Sequence, residues 1–194
     1  MIEGLDFARY QGRVDFRSIP REVRFVYCKA SEGETYVDPT YYRNAACGIN
    51  VGLGVGAYHF FRADADPVKQ AKHFATTAED CTQLLPVCDF ESVAKSVSNR
   101  DACARARVFL DETEKAWGCV PLLYSYPYFL HTLRDFTKGW EKYPLWIAHY
   151  GVAKPWVPRP WVDWLVWQYD GDGGKKLPNG VDCDWNMAKE LPVR

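Results

Sequence analysis

Apolar runs of five to eight residues alternate along most of this chain with longer stretches whose apolar positions recur at helical spacing. The short runs predict strands at Gly4–Arg9, Arg24–Ala30, Gly54–Phe61, Leu84–Phe90, Pro121–Tyr126, Leu145–His149 and Trp164–Tyr169, with a short piece near Val181–Asp184. Asp38-Pro39 and Asp66-Pro67 each place an N-capping acid before a proline suited to a first helical turn. Val68, Ala71, Ala75 and Ala78 continue the second of these at helical spacing. Ala102, Ala106, Phe109, Leu110, Thr113 and Trp117 mark a helix over Asn99–Trp117, and a shorter one is expected at Tyr128–Phe136. About eight strands interleaved with helices predict an α/β fold, a β/α barrel. The last strands are separated by Pro- and Gly-rich loops, so the barrel should be irregular, with four to five helices, fewer than a full TIM barrel.

The chain has 194 residues, 47% of them apolar and 25% charged, which suits one domain over 1–194. Net charge is −1 with no basic stripe, which argues against nucleic acid and anionic membrane as main partners. No apolar stretch approaches the ~20 residues of a membrane span. The start, Met1-Ile2-Glu3-Gly4-Leu5-Asp6, lacks the basic and apolar regions of a signal peptide, so synthesis in the cytoplasm is expected. Seven cysteines form no C-x-x-C pair, and Cys28, Cys88, Cys103 and Cys119 fall in apolar patterns, as buried thiols do. Four scattered His give no zinc spacing, and no cofactor or metal is expected. Aromatic content is 15%, with eight Trp and twelve Tyr, and such rings stack on sugars as readily as they fill cores.

Candidate chemistry centres on Asp89-Phe90-Glu91 at the end of a buried strand. Alternation puts both acids on one face, roughly 6–7 Å apart at their backbones. One protonated and one ionised carboxyl suit cleavage of a glycosidic bond. Barrels of this class carry chemistry at the C-terminal ends of strands, where Asp6, Asp89, Glu91 and Asp182 fall. A closing strand beside the first would bring Asp182 close to Asp6, making one acidic mouth. Tyr58, Tyr124, Trp146 and Tyr169 lie at strand ends as candidate saccharide contacts. His59, on the face opposite Tyr58, reads as a structural histidine, and Lys29 with Glu32 as an internal ion pair or a substrate contact.

Several motifs in order resemble glycoside hydrolase family 25, the peptidoglycan muramidases or lysozymes built on a flattened β/α barrel. They are Gly4-Leu5-Asp6 with Gln11-Gly12, Phe25 through Gly33, Tyr36-Val37-Asp38-Pro39, Gly54 through Phe60, Asp89-Phe90-Glu91, Trp146 through Tyr150, Trp167-Gln168-Tyr169 and Val181-Asp182. Two positions depart from the pattern. Ala8 stands where the family usually has Ser, and the closing Val-Asp-x-Asn reads Val181-Asp182-Cys183-Asp184. Asp182 takes the family position, while Asp184 on the same face competes for it.

The resemblance implies hydrolysis of the β-1,4 bond between N-acetylmuramic acid and N-acetylglucosamine in peptidoglycan glycan strands by a monomer. It implies Glu91 as general acid, with a raised pKa, and an ionised Asp89 assisting the substrate's own acetamido group, with retention of configuration. Asp6 and Asp182 would tune the pair. The alternatives are a chitinase-like or N-acetylglucosaminidase barrel, whose longer acidic run is absent here, and a non-catalytic glycan-binding barrel. A wall-degrading domain without a leader further resembles a phage endolysin, or a secreted effector, acting on the cell wall after release.

Overall fold

The computed structural model describes residues 1–78, 82–134, 139–171 and 173–194. The described elements, in order, are β1 (Ile2–Phe7), β2 (Val23–Glu32), β3 (Tyr36–Val37), α1 (Tyr41–Asn50), β4 (Gly54–Phe60), α2 (Pro67–Ala78), β5 (Val87–Asp89), α3 (Asn99–Trp117), β6 (Leu122–Ser125), α4 (Pro127–Leu133), β7 (Leu145–Ala148), β8 (Val166–Asp170) and β9 (Asp184–Ala188). Eight strands close on themselves in the order β1-β2-β4-β5-β6-β7-β8-β9, with β1 paired to both β2 and β9. The barrel is parallel from β1 through β8, and β9 runs antiparallel to both its neighbours. The expected irregular eight-stranded barrel is thus present, with four α-helices among the described residues. The two-residue β3, which the apolar pattern does not mark, folds back antiparallel on the end of β2.

Strand alternation divides the core in two. Inside the barrel lie Phe25, Tyr27, Val87, Leu122, Trp146, Val166 and Ala188. Room for the two β2 rings comes from glycines on the flanking strands. A Cβ at Gly4 would sit 2.2 Å from the Phe25 ring, and one at Gly56 2.1 Å from the Tyr27 ring. The outward residues, among them Leu5, Phe7, Val26, Cys28, Ala57, Cys88 and Phe90, form a larger core with Ala71, Phe74, Ala106, Phe109 and Leu110 of α2 and α3. Both faces of most strands are therefore buried, and both are apolar.

Capping explains the helix starts. Asp66 Oδ1 accepts from the backbone N–H of Val68 and Lys69, so α2 begins at Pro67 as its sequence predicts. Ser98 caps α3 through the Asp101 N–H at 3.1 Å, and Gly118, at φ +68°, ends it. The first helix starts later than Asp38-Pro39 suggests. Asp38 Oδ1 accepts from the N–H and hydroxyl of Thr40, while Oδ2 accepts from the Arg9 N–H, which ties Asp38 to the barrel rim. The α4 helix ends at Leu133, with Arg134 at φ +56°; the remainder of the expected Tyr128–Phe136 helix lies outside the described residues.

The last strand needs a correction of three residues. It was expected near Val181–Asp184 and runs over Asp184–Ala188. Being antiparallel, it presents its N-terminal end at the mouth, where Asp184 pairs directly with Asp6. Asp182 lies before the strand, in an isolated bridge to Lys176. Cysteine burial also differs in detail: Cys183 is buried and Cys119 half-buried, while Cys81 lies outside the described residues.

Candidate active site

At the mouth of the barrel the inward positions change from apolar to charged. A cavity of about 390 Å³ opens there, lined by Asp6 of β1, Lys29 and Glu32 of β2, Tyr58 and Phe60 of β4, Asp89 and Glu91 at the end of β5, Tyr124 of β6, Trp146 of β7, Gln168 of β8 and Asp184 of β9. Tyr10, Arg62 and Tyr150 complete the rim. Each of these strands buries its lower inward residues and then points the next one or two at the opening, which is why side chains from across the sequence converge.

Six of the expected site residues line this cavity: Asp6, Asp89, Glu91, Tyr58, Tyr124 and Trp146. Asp182 and Tyr169 are not among the lining residues. Gln168 points inward, so its neighbour Tyr169 must point outward; it packs against the outer core and donates its hydroxyl hydrogen bond to Glu3 Oε2 at 2.8 Å. Asp184 occupies the place expected of Asp182. The sequence carries the signal for it, because Asp184-Trp185-Asn186 supplies the Asp-x-Asn spacing two residues later. Gln168, Tyr150, Tyr10 and Arg62 were not singled out, although Gln168 and Tyr150 lie within the quoted motifs.

The seam between β1 and β9 is a closed hydrogen-bond network. Asp6 Oδ2 accepts from Gln168 Nε2 at 2.7 Å and from Asn186 Nδ2 at 2.8 Å. Trp146 Nε1 donates to Asn186 Oδ1 at 2.9 Å, and the hydroxyls of Tyr124 and Tyr150 both donate to Gln168 Oε1. Asp6 itself is 6% exposed, and burial, followed by the charge of Asp184, raises its pKa well above the usual carboxylate range. The hydrogen bonds from Asn186 and Gln168 oppose that rise.

The β5 side differs. Asp89 is also 6% exposed, and its Oδ1 is buried with no hydrogen-bond partner among the described residues. Burial first, then Glu91, push its pKa well up, with Lys29 pulling the other way. That direction runs against the ionised form expected of Asp89, and desolvation causes it, Asp89 being buried while Glu91 is half-buried. Lys29 and Glu32 form an ion pair at 2.7 Å that also lines the cavity, so both readings of them meet in one place. His59 is fully buried between Ser31 Oγ and Gln70 Oε1, at 2.9 and 3.2 Å, and burial lowers its pKa to about 3. It is a neutral packing group stacked on Phe109.

Among the described residues no cluster of His, Cys, Asp and Glu is placed to hold a metal ion, and no helix is long and apolar enough to cross a membrane. The cavity offers carboxyls, aromatic faces and amide donors, which is equipment for acid chemistry on a polar, ring-shaped ligand.

Comparisons with known proteins agree with that equipment. The chain is 34% identical over 189 residues to the autolytic lysozyme of Clostridium acetobutylicum, covering 94% of this chain and 55% of that protein. Escherichia coli YegX is 32% identical over 193 residues, covering 96% and 69%. A lysozyme from Streptomyces coelicolor superimposes with a TM-score of 0.84 at 28% identity, over 98% of this chain and 93% of that one. Residues 5–176 match the sequence pattern described as Glycosyl hydrolases family 25. The chain belongs to that family and is a glycoside hydrolase.

Proposed function

We propose that residues 1–194 act as one catalytic unit, an endo-acting muramidase that hydrolyses the β-1,4 bond between N-acetylmuramic acid and N-acetylglucosamine in cell-wall peptidoglycan. Relatives carrying lysozyme and muramidase names support the substrate class. The observation that carries the mechanism is the pair Asp89, the last residue of β5, and Glu91, two residues beyond it, both lining the cavity, with an acceptor oxygen of Asp89 left without a partner among the described residues.

Two carboxyls on one strand face cannot flank a bond from opposite sides, so neither is placed as a protein nucleophile against the other. The substrate's own 2-acetamido oxygen takes that part. It attacks the anomeric carbon as Glu91 donates its proton to the departing sugar oxygen, closing a charged oxazoline-type ring. The acetamido N–H donates to Asp89, filling the vacant acceptor. That hydrogen bond, with Lys29 nearby, favours the ionised form of Asp89 once the sugar is seated. The negative charge then stabilises the cationic ring. Water, deprotonated by the Glu91 carboxylate, then attacks the anomeric carbon from the face the leaving sugar vacated, breaking its bond to the acetamido oxygen and giving net retention. Asp6 and Asp184 hold the opposite wall, and Tyr58, Tyr124 and Trp146 offer ring faces and hydroxyls to the sugar.

Product chemistry tests this reading. Purified walls digested with the protein, reduced with borohydride and hydrolysed should yield muramitol. Glucosaminitol as the main reduced sugar would move the chain to an N-acetylglucosaminidase.

A further inference from the structure

Beside the catalytic cavity lies a second one of about 440 Å³, lined by Arg9, Tyr10, Lys29, Glu32, Gly33, Glu34, Tyr36 and Arg62 among others. The two share Tyr10, Lys29, Glu32 and Arg62, so they form one continuous cleft. The catalytic end gathers Asp6, Asp89, Glu91 and Asp184; Lys29, Glu32 and Arg62 line both parts, and the annex adds Arg9 and Glu34.

The annex acids are already neutralised. Glu32 is paired with Lys29 at 2.7 Å and faces Arg62 at 3.7 Å, and Glu34 is paired with Lys69 at 3.4 Å. Arg62 also faces Asp64 at 3.6 Å. Arg9 makes no ion pair among the described residues. Its guanidinium instead lies over the rings of Tyr10 and Tyr36, at 5.1 and 5.7 Å from their centroids. Its N–H groups also reach the hydroxyls of Tyr10 and Tyr36, which fixes the guanidinium plane, and the rest of its five donors face a planar acceptor in the cleft. The Tyr36 hydroxyl lies against that guanidinium, and its buried O–H has no acceptor among the described residues. A buried O–H without an acceptor is costly, and it calls for one that arrives with a ligand. The strand β3 earns its place here: the turn at Gly33, at φ +57°, returns the chain so that Tyr36 pairs with Glu32 on the rim.

We propose that this annex is an anion-reading subsite in which Arg9 and Tyr36 bind a carboxylate carried by the glycan, on the lactyl arm of muramic acid or on its peptide. Arg9 is then a specificity-determining residue, separating carboxylate-bearing strands from chitin-type glycans that have none. The proposal rests on the muramidase reading above.

The test compares kcat/KM of wild type, Arg9→Ala, Arg9→Lys and Tyr36→Phe on three soluble strand preparations. The first is intact, the second is stripped of peptide by an amidase so that only lactyl carboxylates remain, and the third has its carboxylates converted to amides. Arg9 is exposed, so its removal leaves the core intact. Arg9→Ala should lose about tenfold on the preparation that carries the bound carboxylate, intact or stripped, the scale of one charged hydrogen bond, and less than about twofold on amidated strands. Arg9→Lys, which keeps charge without the planar fork, should recover part of the loss, and Tyr36→Phe should share its pattern. Loss on stripped strands alone assigns the lactyl carboxylate, which is tied up in an amide bond in intact strands; loss on intact strands alone assigns the peptide, and loss on both means that either carboxylate is read. An equal loss on amidated strands, or no loss on any preparation, overturns the subsite. Failure of wild type to release muramic acid ends from all three would instead overturn the muramidase reading.

Discussion

The two walls of the catalytic cavity hold the same kind of residue in opposite states. At the β1–β9 seam, Asp6 is buried inside a finished network, with Gln168 and Asn186 donating to it and Trp146, Tyr124 and Tyr150 holding those donors in turn. At the end of β5, Asp89 is equally buried but keeps an oxygen without a partner among the described residues, and its companion Glu91 is half-buried. A satisfied carboxyl is positioned to stay as it is. An unsatisfied one is positioned to receive something. The contrast supports the proposed placing of chemistry at β5 and shape at the seam, although composition alone would treat the acids as equivalent.

The largest expected effect comes from the β5 wall. Glu91→Gln keeps the shape and removes the transferable proton, and wall-lytic activity should fall about 10²-fold or more. Activity within a few-fold of wild type in a folded variant would break the contrast at its strongest point.

Asp89 gives an effect on both activity and stability. Asp89→Asn should also reduce turnover by about 10²-fold, because the developing positive charge loses its counter-ion. Stability should move the other way. The folded-state pKa of Asp89 is raised, so the native state holds an extra proton between the ordinary carboxylate value, about 3.9, and the raised one. Stability from this group is complete below the ordinary value and is lost as pH rises through the raised one. Asp89→Asn should therefore melt higher than wild type at pH 7 and show a shallower decline of Tm with rising pH. Parallel Tm–pH curves for the two proteins would remove burial as the cause.

The seam should respond more mildly. Asp184→Asn is expected to cost about tenfold in kcat/KM, on the scale of a weakened charged hydrogen bond, and Asp182→Asn less than about threefold. Reversal of that order would return the last acidic position to Asp182.

The same division explains what the sequence reveals. Helix α3 can be read over Asn99–Trp117 from its apolar spacing, because that signal is local. The Asp89–Glu91 pair is legible for the same reason, since a parallel strand end fixes both side chains through its own alternation. The seam depends on partners 162 and 180 residues apart in sequence, Gln168 and Asn186 against Asp6. Nothing local in Val181–Asp184 states that the last strand runs antiparallel and starts at the mouth, although the Asp-x-Asn spacing of Asp184-Trp185-Asn186 marks the acid that stands there. Tyr169 was misplaced for a simpler reason. On a strand buried on both faces, Trp167, Gln168 and Tyr169 give no amphipathic signal, and only the parity with Gln168 separates them. Strand β3 is two residues long, too short for any periodic pattern to register.

Anomeric configuration of the first product tests the role given to β5 most directly. With the acetamido group attacking and water then opening the ring, NMR of freshly cleaved strands should show the β anomer of the new reducing end first, with the α form growing in later by mutarotation. An α anomer at the earliest times would mean that water attacks directly with a carboxylate as base, contradicting the substrate-assisted account.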